Sequence, residues 1–469
     1  MVDLQISRHG PAPGGPFDVA IVGAGVVGCA TARELTRRGA SCVLIDAARD
    51  VGTGTSKANT AIMHTGFDAK PGTIEARLVT RGYELLREYA AEAGIPTARI
   101  GALMVAWTPQ QLDALAAIES TARQNGYGGS RRVDVDELYG REPALGPGAH
   151  GALEIPDEGI LCPWTTTLAL ATEAIQGGCA LALDAPVEAI KRGDGFELGT
   201  PRGTIRSRYL VNAAGLHSDE IDALLGHGGE FTVRPRRGQL IIFDKLARSL
   251  VAHILLPVPT ERTKGVLVSP TVYGNVLLGP TAEDLDDRDD RSTTAAGLES
   301  LLADGARIVP ALAEHEVTAT FAGLRAATEH RDYQLRVHED ERYACAGGIR
   351  STGVSASMAI AERVREGLAA AGLELSAEAT GAEARMPNIG EISPRPFERP
   401  ELIAENPDFG RVVCFCERVT RGELEAAIGS AIAPVDIDGL RRRTRVLMGR
   451  CQGFFCEATV RAMLGEVDG

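Results

Sequence analysis

The chain has 469 residues, of which 44% are hydrophobic and 24% charged. That is the usage of a globular protein with several domains, and it excludes collagen, coiled coil and wholesale disorder. A formal net charge of -14, from 49 basic and 63 acidic residues, argues against nucleic acid as a partner.

Met1–Phe17 is polar and rich in Pro and Gly. It lacks the basic and apolar regions of a signal peptide and reads as a mobile extension. Asp18–Leu35 reads as a buried strand, a glycine turn and a helix. Ser41–Ile45 adds a second strand, closing a βαβ unit that opens a parallel sheet. Helical apolar spacing covers Ile74–Ala93 and Gln110–Gln124. Leu181–Val211 reads as a small β-meander with turns at Arg192–Gly195 and Pro201–Gly203. Further strands run from Phe231 to Leu278, with Gly274-Asn275 as a hairpin turn. The charged run Glu283–Arg291 reads as a solvated loop, and Ser357–Ala371 as a helix. Glu374–Phe409, rich in Pro and Glu, reads as a linker. The alternating blocks imply a nucleotide domain interrupted by a substrate domain, placed at roughly 85–150 and 225–330. The expected layout is then a unit over 18–370, a linker over 371–410 and a last unit over 411–469. No run of about 18 apolar residues occurs, so no transmembrane helix is expected. A cytoplasmic location, with any membrane contact peripheral, is expected.

Gly23-Ala-Gly25-Val-Val-Gly28 follows a strand and opens a helix, with Asp46 at the end of the next strand. Gly23 allows the tight turn, Gly25 lets backbone approach a pyrophosphate, and Gly28 lets helix and strand pack closely. The helix N-terminus offers free N–H groups, with Val27 in its first turn, and Asp46 can accept from ribose hydroxyls. Val211–Ser218, with Ala214 and Gly215 at its turn, suits close approach to a nucleotide. Cys345–Ser355 is a strand and glycine turn before another helix, and Gly348, Gly353 and Val354 would face a flavin there. No second unit of this kind exists for a nicotinamide nucleotide, so FAD is the simpler reading.

These segments, with Gly54–Asn59, Ile62–Gly66 and Gly323-Leu-Arg325, resemble the D-amino-acid-oxidase-like (DAO) FAD-dependent oxidoreductases. Within that group the chain resembles the catalytic subunit of anaerobic glycerol-3-phosphate dehydrogenase and the L-2-hydroxyglutarate oxidases. The runs Pro257–Thr260, Gly265–Pro270 and Gly274–Pro280 share that likeness, which covers roughly residues 17 to 370. The resemblance implies that Thr55, Ser56 and Asn59 lie along the flavin and that the chain near Val187 contacts adenine. The fold class expected is α/β (α+β overall), with a Rossmann-like FAD-binding domain and an inserted mixed β-sheet substrate domain. A small C-terminal four-cysteine domain completes it.

Of nine cysteines, Cys414, Cys416, Cys451 and Cys456 cluster near the C-terminus. Four thiolates in two close pairs suit a 2Fe-2S cluster, and the same count could bind tetrahedral zinc. The spacing resembles the bacterioferritin-associated-ferredoxin-like 2Fe-2S domain. Arg441, Arg442, Arg443, Arg445 and Arg450 nearby would offset the cluster's charge, form a docking face, or simply make a solvated helix face.

Flavin oxidation of an alcohol needs a base for the hydroxyl proton and cations for an anionic substrate. His64 is the base expected, ahead of His217. Arg325 and Arg350 are the anion-binding expectations, ahead of Lys57. The activity expected is an FAD-dependent dehydrogenase of a small anionic secondary alcohol, with glycerol 3-phosphate favoured. A 2-hydroxy acid, an opine or amine, or a non-catalytic electron-transfer role are the rivals. The cluster favours a dehydrogenase that passes electrons singly to an acceptor protein or partner subunit.

Overall fold

The computed structural model describes residues 5–7, 10–259, 265–381 and 383–465. Thr260 of the run noted above and the last residues of the expected cluster domain, 466–469, lie outside them. So do residues 1–4 and 8–9 of the expected extension.

A nine-stranded sheet carries the nucleotide-binding half. Its parallel core sets Ala180–Ala182, Cys42–Ile45, Phe17–Val22 and Gly203–Asn212 side by side. Ala180–Ala182, Cys42–Ile45 and the second half of Phe17–Val22 are buried on both faces, which is why they read as continuous apolar runs. Gly203–Asn212 serves two roles along its length. Its first half pairs antiparallel with Phe196–Thr200 in the meander, and its last residues pair parallel with Tyr343–Gly347. The helices Val26–Thr36, Pro163–Gln176 and Gly353–Ala370 share one apolar core with the sheet.

The N-terminal segment departs from expectation. Ile6–Ser7 adds a parallel edge strand beside Ala180–Ala182, and the Ala12 N–H donates to the Arg202 carbonyl. The reason is a sheet edge with unpaired backbone groups, which a short extended segment satisfies. Arg202 reinforces this by donating to the Gly10 and Ser7 carbonyls.

A second nine-stranded sheet forms the inserted half. Its long strands Val233–Phe243 and Val317–Thr328 pair antiparallel along most of their length. Ala102–Ala106 and Gly151–Ile155 complete its far side, so the insertion extends slightly past residue 150. Residues 85–92 lie in the helix Ile74–Glu92, which packs on Gly353–Ala370 in the nucleotide half. The acidic run is not a free loop. Glu283–Asp284 is a short strand on Val233–Phe243, Glu283 and Asp290 hold the buried Arg237, and Arg288 is bidentate on Asp219. The helix expected from Ser357 begins at Gly353.

The segment expected as a linker is a strap that packs along the body. Thr380 N–H donates to the Arg37 carbonyl, and Met386 N–H to the Ala93 carbonyl. Glu391 pairs with Lys245, and the fully buried Arg395 pairs with Glu423 of the last domain. Its Pro and Glu content suppressed periodicity without preventing burial through side-chain pairing. The last domain is a two-stranded ribbon and three helices, Arg421–Ile428, Ile437–Thr444 and Glu457–Leu464, around its own apolar cluster.

Candidate active site and cysteine centre

A cavity of about 1190 Å³ opens between the two sheets. At one end lies the N-terminus of Val26–Thr36. Gly25 is its N-cap and supplies no side-chain acceptor, so the first-turn N–H groups at Val27 and Gly28 have no intrahelical partner. At the other end lies the N-terminus of Gly353–Ala370, also without a side-chain cap. Its N-cap Thr352 instead donates to Glu75 Oε1 at 2.7 Å. Two open helix N-termini on one elongated cavity suit a pyrophosphate and a second electron-rich edge. Thr55, Ser56 and Asn59 line the wall between them, with Gly215 and Val354.

Several of the expected nucleotide residues shape this cradle without lining it. A Cβ on Gly23 would stand 2.3 Å from the Ala213 carbonyl oxygen, and one on Gly28 would stand 1.8 Å from the Gly23 oxygen. The turn and the helix–strand approach therefore demand glycine. Asp46 differs from expectation. Its two carboxylate oxygens accept from the Ala24 and Ala48 N–H groups at 2.6 and 2.7 Å. Burial raises its pKa, and those two donors partly counter the rise. Among the described residues it anchors the glycine turn and does not line the cavity. Val187 and Ala214 pack against a second apolar cluster behind the sheet. Gly348 sits at φ +61 in the turn between Ala346 and Ile349, which line the cavity.

Of the chemical residues, His64, Arg325 and Arg350 all line the cavity. His64 Nδ1 stands 3.2 Å from Glu158 Oε2, and the Glu158 side chain is completely buried. Glu158 Oε1 accepts from both the Thr65 N–H and its hydroxyl, at 2.7 and 2.9 Å. The carboxylate is thereby fixed beside the imidazole.

Arg325 lies deep in the molecule yet faces the cavity. Among the described residues no carboxylate pairs with it, and its one hydrogen bond is a long 3.5 Å contact to the Thr281 carbonyl. Desolvation, then the charge of Arg236, pulls its pKa down to about 10. A Cβ on Gly238 would lie 2.7 Å from its Nη2, so that glycine makes room for the guanidinium. Arg350 is different. Its Nη2 donates to Glu75 Oε2 and to the Arg331 carbonyl, both at 2.6 Å. It is held in an internal ion pair, and the expectation that it binds an anion is not carried by its geometry.

The secondary candidates fall away from the site. The exposed His217 pairs with Glu220 at 2.8 Å. Lys57 is not among the lining residues, and its carbonyl accepts the Trp164 indole N–H at 3.0 Å. Glu158, Glu75 and Gly238 escaped the sequence reading, because their partners His64, Arg350 and Arg325 are remote in sequence. The cluster of His227, Glu230 and His338 gathers potential ligand atoms. However, both His227 nitrogens face carboxylates, Glu230 at 3.3 Å and Glu341 at 2.9 Å, and its ring stacks on His338.

Cys414, Cys416, Cys451 and Cys456 converge in the last domain. The side chains meet across the two sequence pairs, Cys416 with Cys451 and Cys414 with Cys456. Burial works against ionising Cys451, but N–H groups of Phe455, Gly453 and Phe454, with the Cys416 side chain, bring its pKa below the ordinary thiol value. Burial pushes the Cys456 thiol up to about 12. Two thiol pairs with amide donors at one of them suit a two-iron cluster.

This domain is fastened to both halves of the body. Arg443 is bidentate on the buried Asp50, which Arg442 also reaches. Burial alone would raise the Asp50 pKa, but the two guanidinium groups hold it below the ordinary carboxylate value. Arg445 donates to Asn275 Oδ1 of the inserted half at 3.1 Å, and Arg450 pairs with Asp244 at 2.8 Å. The arginines expected to balance the cluster or face solvent thus include the residues that make the seam.

Fold and site together define a flavin-dependent oxidoreductase with an appended iron–sulfur domain. The chain belongs to the DAO family of FAD dependent oxidoreductases, whose model matches residues 18–366. Residues 412–466 match the BFD-like [2Fe-2S] binding domain. The chain is 36% identical to a glycerol 3-phosphate dehydrogenase of Caloramator mitchellensis over 96% of this chain and 94% of that protein. It is 30% identical to the human mitochondrial L-2-hydroxyglutarate dehydrogenase over 57% of this chain and 61% of that one. The dithionite-reduced L-alpha-glycerophosphate oxidase of Mycoplasma pneumoniae, solved with FAD bound, superimposes with a TM-score of 0.73 at 27% identity. That match covers 79% of this chain and 98% of the oxidase. No helix among the described residues is long and apolar enough to cross a membrane.

Proposed function

We propose that the protein oxidises sn-glycerol 3-phosphate at its secondary alcohol to dihydroxyacetone phosphate and passes the electrons singly to an acceptor protein or partner subunit. The observation that carries this is a cavity lined by both Arg325, whose guanidinium has no carboxylate partner among the described residues, and a histidine–carboxylate pair, His64–Glu158. Arg325 binds the phosphate, releasing the strain of an enclosed cation without a counterion. Glu158 faces His64 Nδ1; the imidazole takes the hydroxyl proton, and the buried carboxylate stabilises the imidazolium that results. FAD, when bound along the cradle, supplies the acceptor for the hydride. The near full-length likeness to a glycerol 3-phosphate dehydrogenase supports phosphate over carboxylate as the anion. At the cysteine loops Phe415, Phe454 and Phe455 are 70%, 84% and 71% exposed, which suits a small contact face for the acceptor.

Anaerobic titration of the loaded protein tests the reading. Glycerol 3-phosphate should bleach the flavin band and then the iron–sulfur absorption. Bleaching only by L-2-hydroxyglutarate would transfer the protein to that substrate class, and bleaching by neither would overturn the catalytic reading. His64→Gln should slow flavin bleaching by about 10²–10⁴-fold while leaving substrate affinity nearly unchanged.

A further inference from the structure

One continuous chain of contacts joins the wall of the large cavity to the cysteine loops. It begins at Lys57, whose neighbours Ser56 and Ala58 line the cavity. The Lys57 carbonyl accepts from Trp164 Nε1 at 3.0 Å. The Trp164 ring stacks on the Tyr273 ring with centroids 5.2 Å apart and planes 18° from parallel. The Arg445 guanidinium lies over the same phenol ring, 4.2 Å from its centroid. Arg445 Nη2 then donates to Glu417 Oε2 at 3.0 Å, and Glu417 is covalently next to Cys416. Two residues beyond Arg445, the Leu447 amide faces the Cys456 thiol.

The three side chains come from three different parts of the fold. Trp164 opens the helix Pro163–Gln176 of the nucleotide half. Tyr273 sits in the turn between strands Leu267–Pro270 and Val276–Gly279 of the inserted half. Arg445 caps the helix Ile437–Thr444 of the last domain. Tyr273 is buried and its hydroxyl is tied to Cys162 Sγ at 2.9 Å, which fixes the ring plane. Burial drives the Tyr273 pKa well above the ordinary phenol value, so the ring stays neutral. A seam needing only adhesion is already served by Asp50–Arg443 and Asp244–Arg450. Stacked aromatic rings add polarisable overlap between the two centres, which those ion pairs do not.

We propose that the Trp164–Tyr273 stack, continued by Arg445, is the electronic coupling between the flavin cavity and the cysteine centre. This rests on the relay proposed above. Oxidation of the alcohol releases two electrons, which cross one at a time by tunnelling. Neither ring is oxidised and no bond on the path forms or breaks; the hydroxyl proton goes to His64, and the hydrogen transferred as hydride is released to solvent as a proton once its two electrons have crossed. A one-electron acceptor beyond the cluster removes the first electron before the second crosses.

The test is a single-turnover, stopped-flow experiment on the protein carrying both cofactors. Flavin bleaching and cluster reduction are followed separately, beside hydrogen exchange over residues 411–465 and the midpoint potentials of both centres. Trp164→Leu and Tyr273→Leu should leave bleaching unchanged and slow cluster reduction severalfold, with potentials unmoved. Trp164→Phe and Tyr273→Phe, which keep a stacked pair, should stay near the native rate. Cluster reduction unchanged in both Leu variants overturns the proposal. So does a rate that follows loss of exchange protection across the four variants and not their aromatic content. Absence of cluster reduction in the native protein, with the flavin bleached, would instead overturn the relay reading itself.

Discussion

Two deep arginines face opposite situations. Arg443, at the seam of the last domain, meets both oxygens of Asp50 and the carbonyls of Ile432 and Gly439. Arg325, on the cavity wall, meets only a distant Thr281 carbonyl among the described residues. Desolvating a charge costs several kcal/mol unless a counterion compensates it. At the seam the protein supplies the counterion, and the pair holds two domains together. On the cavity wall no described carboxylate does so, and the proposed function assigns that role to a bound anion. The same side chain is thus an ion-pair partner in one region and, in the proposed reading, an anion binder in the other.

Removing the counterion at the seam should have the largest effect. Asp50→Ala leaves Arg443 enclosed and unpaired, and breaking such a pair costs about 3–5 kcal/mol. Hydrogen exchange over residues 411–465 should rise sharply while protection of the parallel sheet is kept. Equal exchange in variant and parent would show that the seam is held elsewhere.

The cavity arginine should respond in the opposite sense. Arg325→Met removes an uncompensated charge, so thermal stability should hold or rise. Meanwhile kcat/KM for an anionic substrate should fall by about 1.5–3 kcal/mol, the worth of a charge-assisted hydrogen bond. A stability loss would mean that Arg325 has a structural partner.

The pH dependence sharpens the contrast further. The Arg325 pKa of about 10 lies low enough to titrate in the free protein. Loss of its proton removes the anion's partner, so kcat/KM should decline as pH rises through about 10, with no matching loss for a neutral substrate analogue. Asp50 has a depressed pKa, so its contribution to docking is complete above the unfolded carboxylate value near about 4. It should fade only as the pH falls through the lower folded value. Exchange protection of the last domain should therefore be flat across neutral pH and drop in acid, the smallest of these effects under ordinary conditions.

The glycine turn was legible because three glycines at fixed spacing answer local needs. Gly23 and Gly28 have no room for a Cβ, as the Ala213 and Gly23 oxygens show. The four C-terminal cysteines were legible for a similar reason, since a thiolate cluster has few alternatives. His64 and Arg325 could be singled out by their place beside flavin-like loops. Arg350 could not be told from Arg325, because the difference is Glu75, far away in the chain. Asp46 has the spacing of a ribose ligand, but its oxygens face the Ala24 and Ala48 amides. The strap over 371–410 hid its burial, because arginine–glutamate pairs such as Arg395–Glu423 carry no periodicity.

The sequence by itself determined what the chain can bind: a dinucleotide turn, four thiolates and a set of cations written in local spacing. The tertiary structure alone decided which cation is unpaired, which carboxylate steadies His64, and how the cysteines pair across their two loops. Spacing reports interactions within a few residues of one another. Pairing between Arg325 and its empty surroundings, His64 and Glu158, or Trp164 and Tyr273 depends on distances that exist only after the sheets have packed.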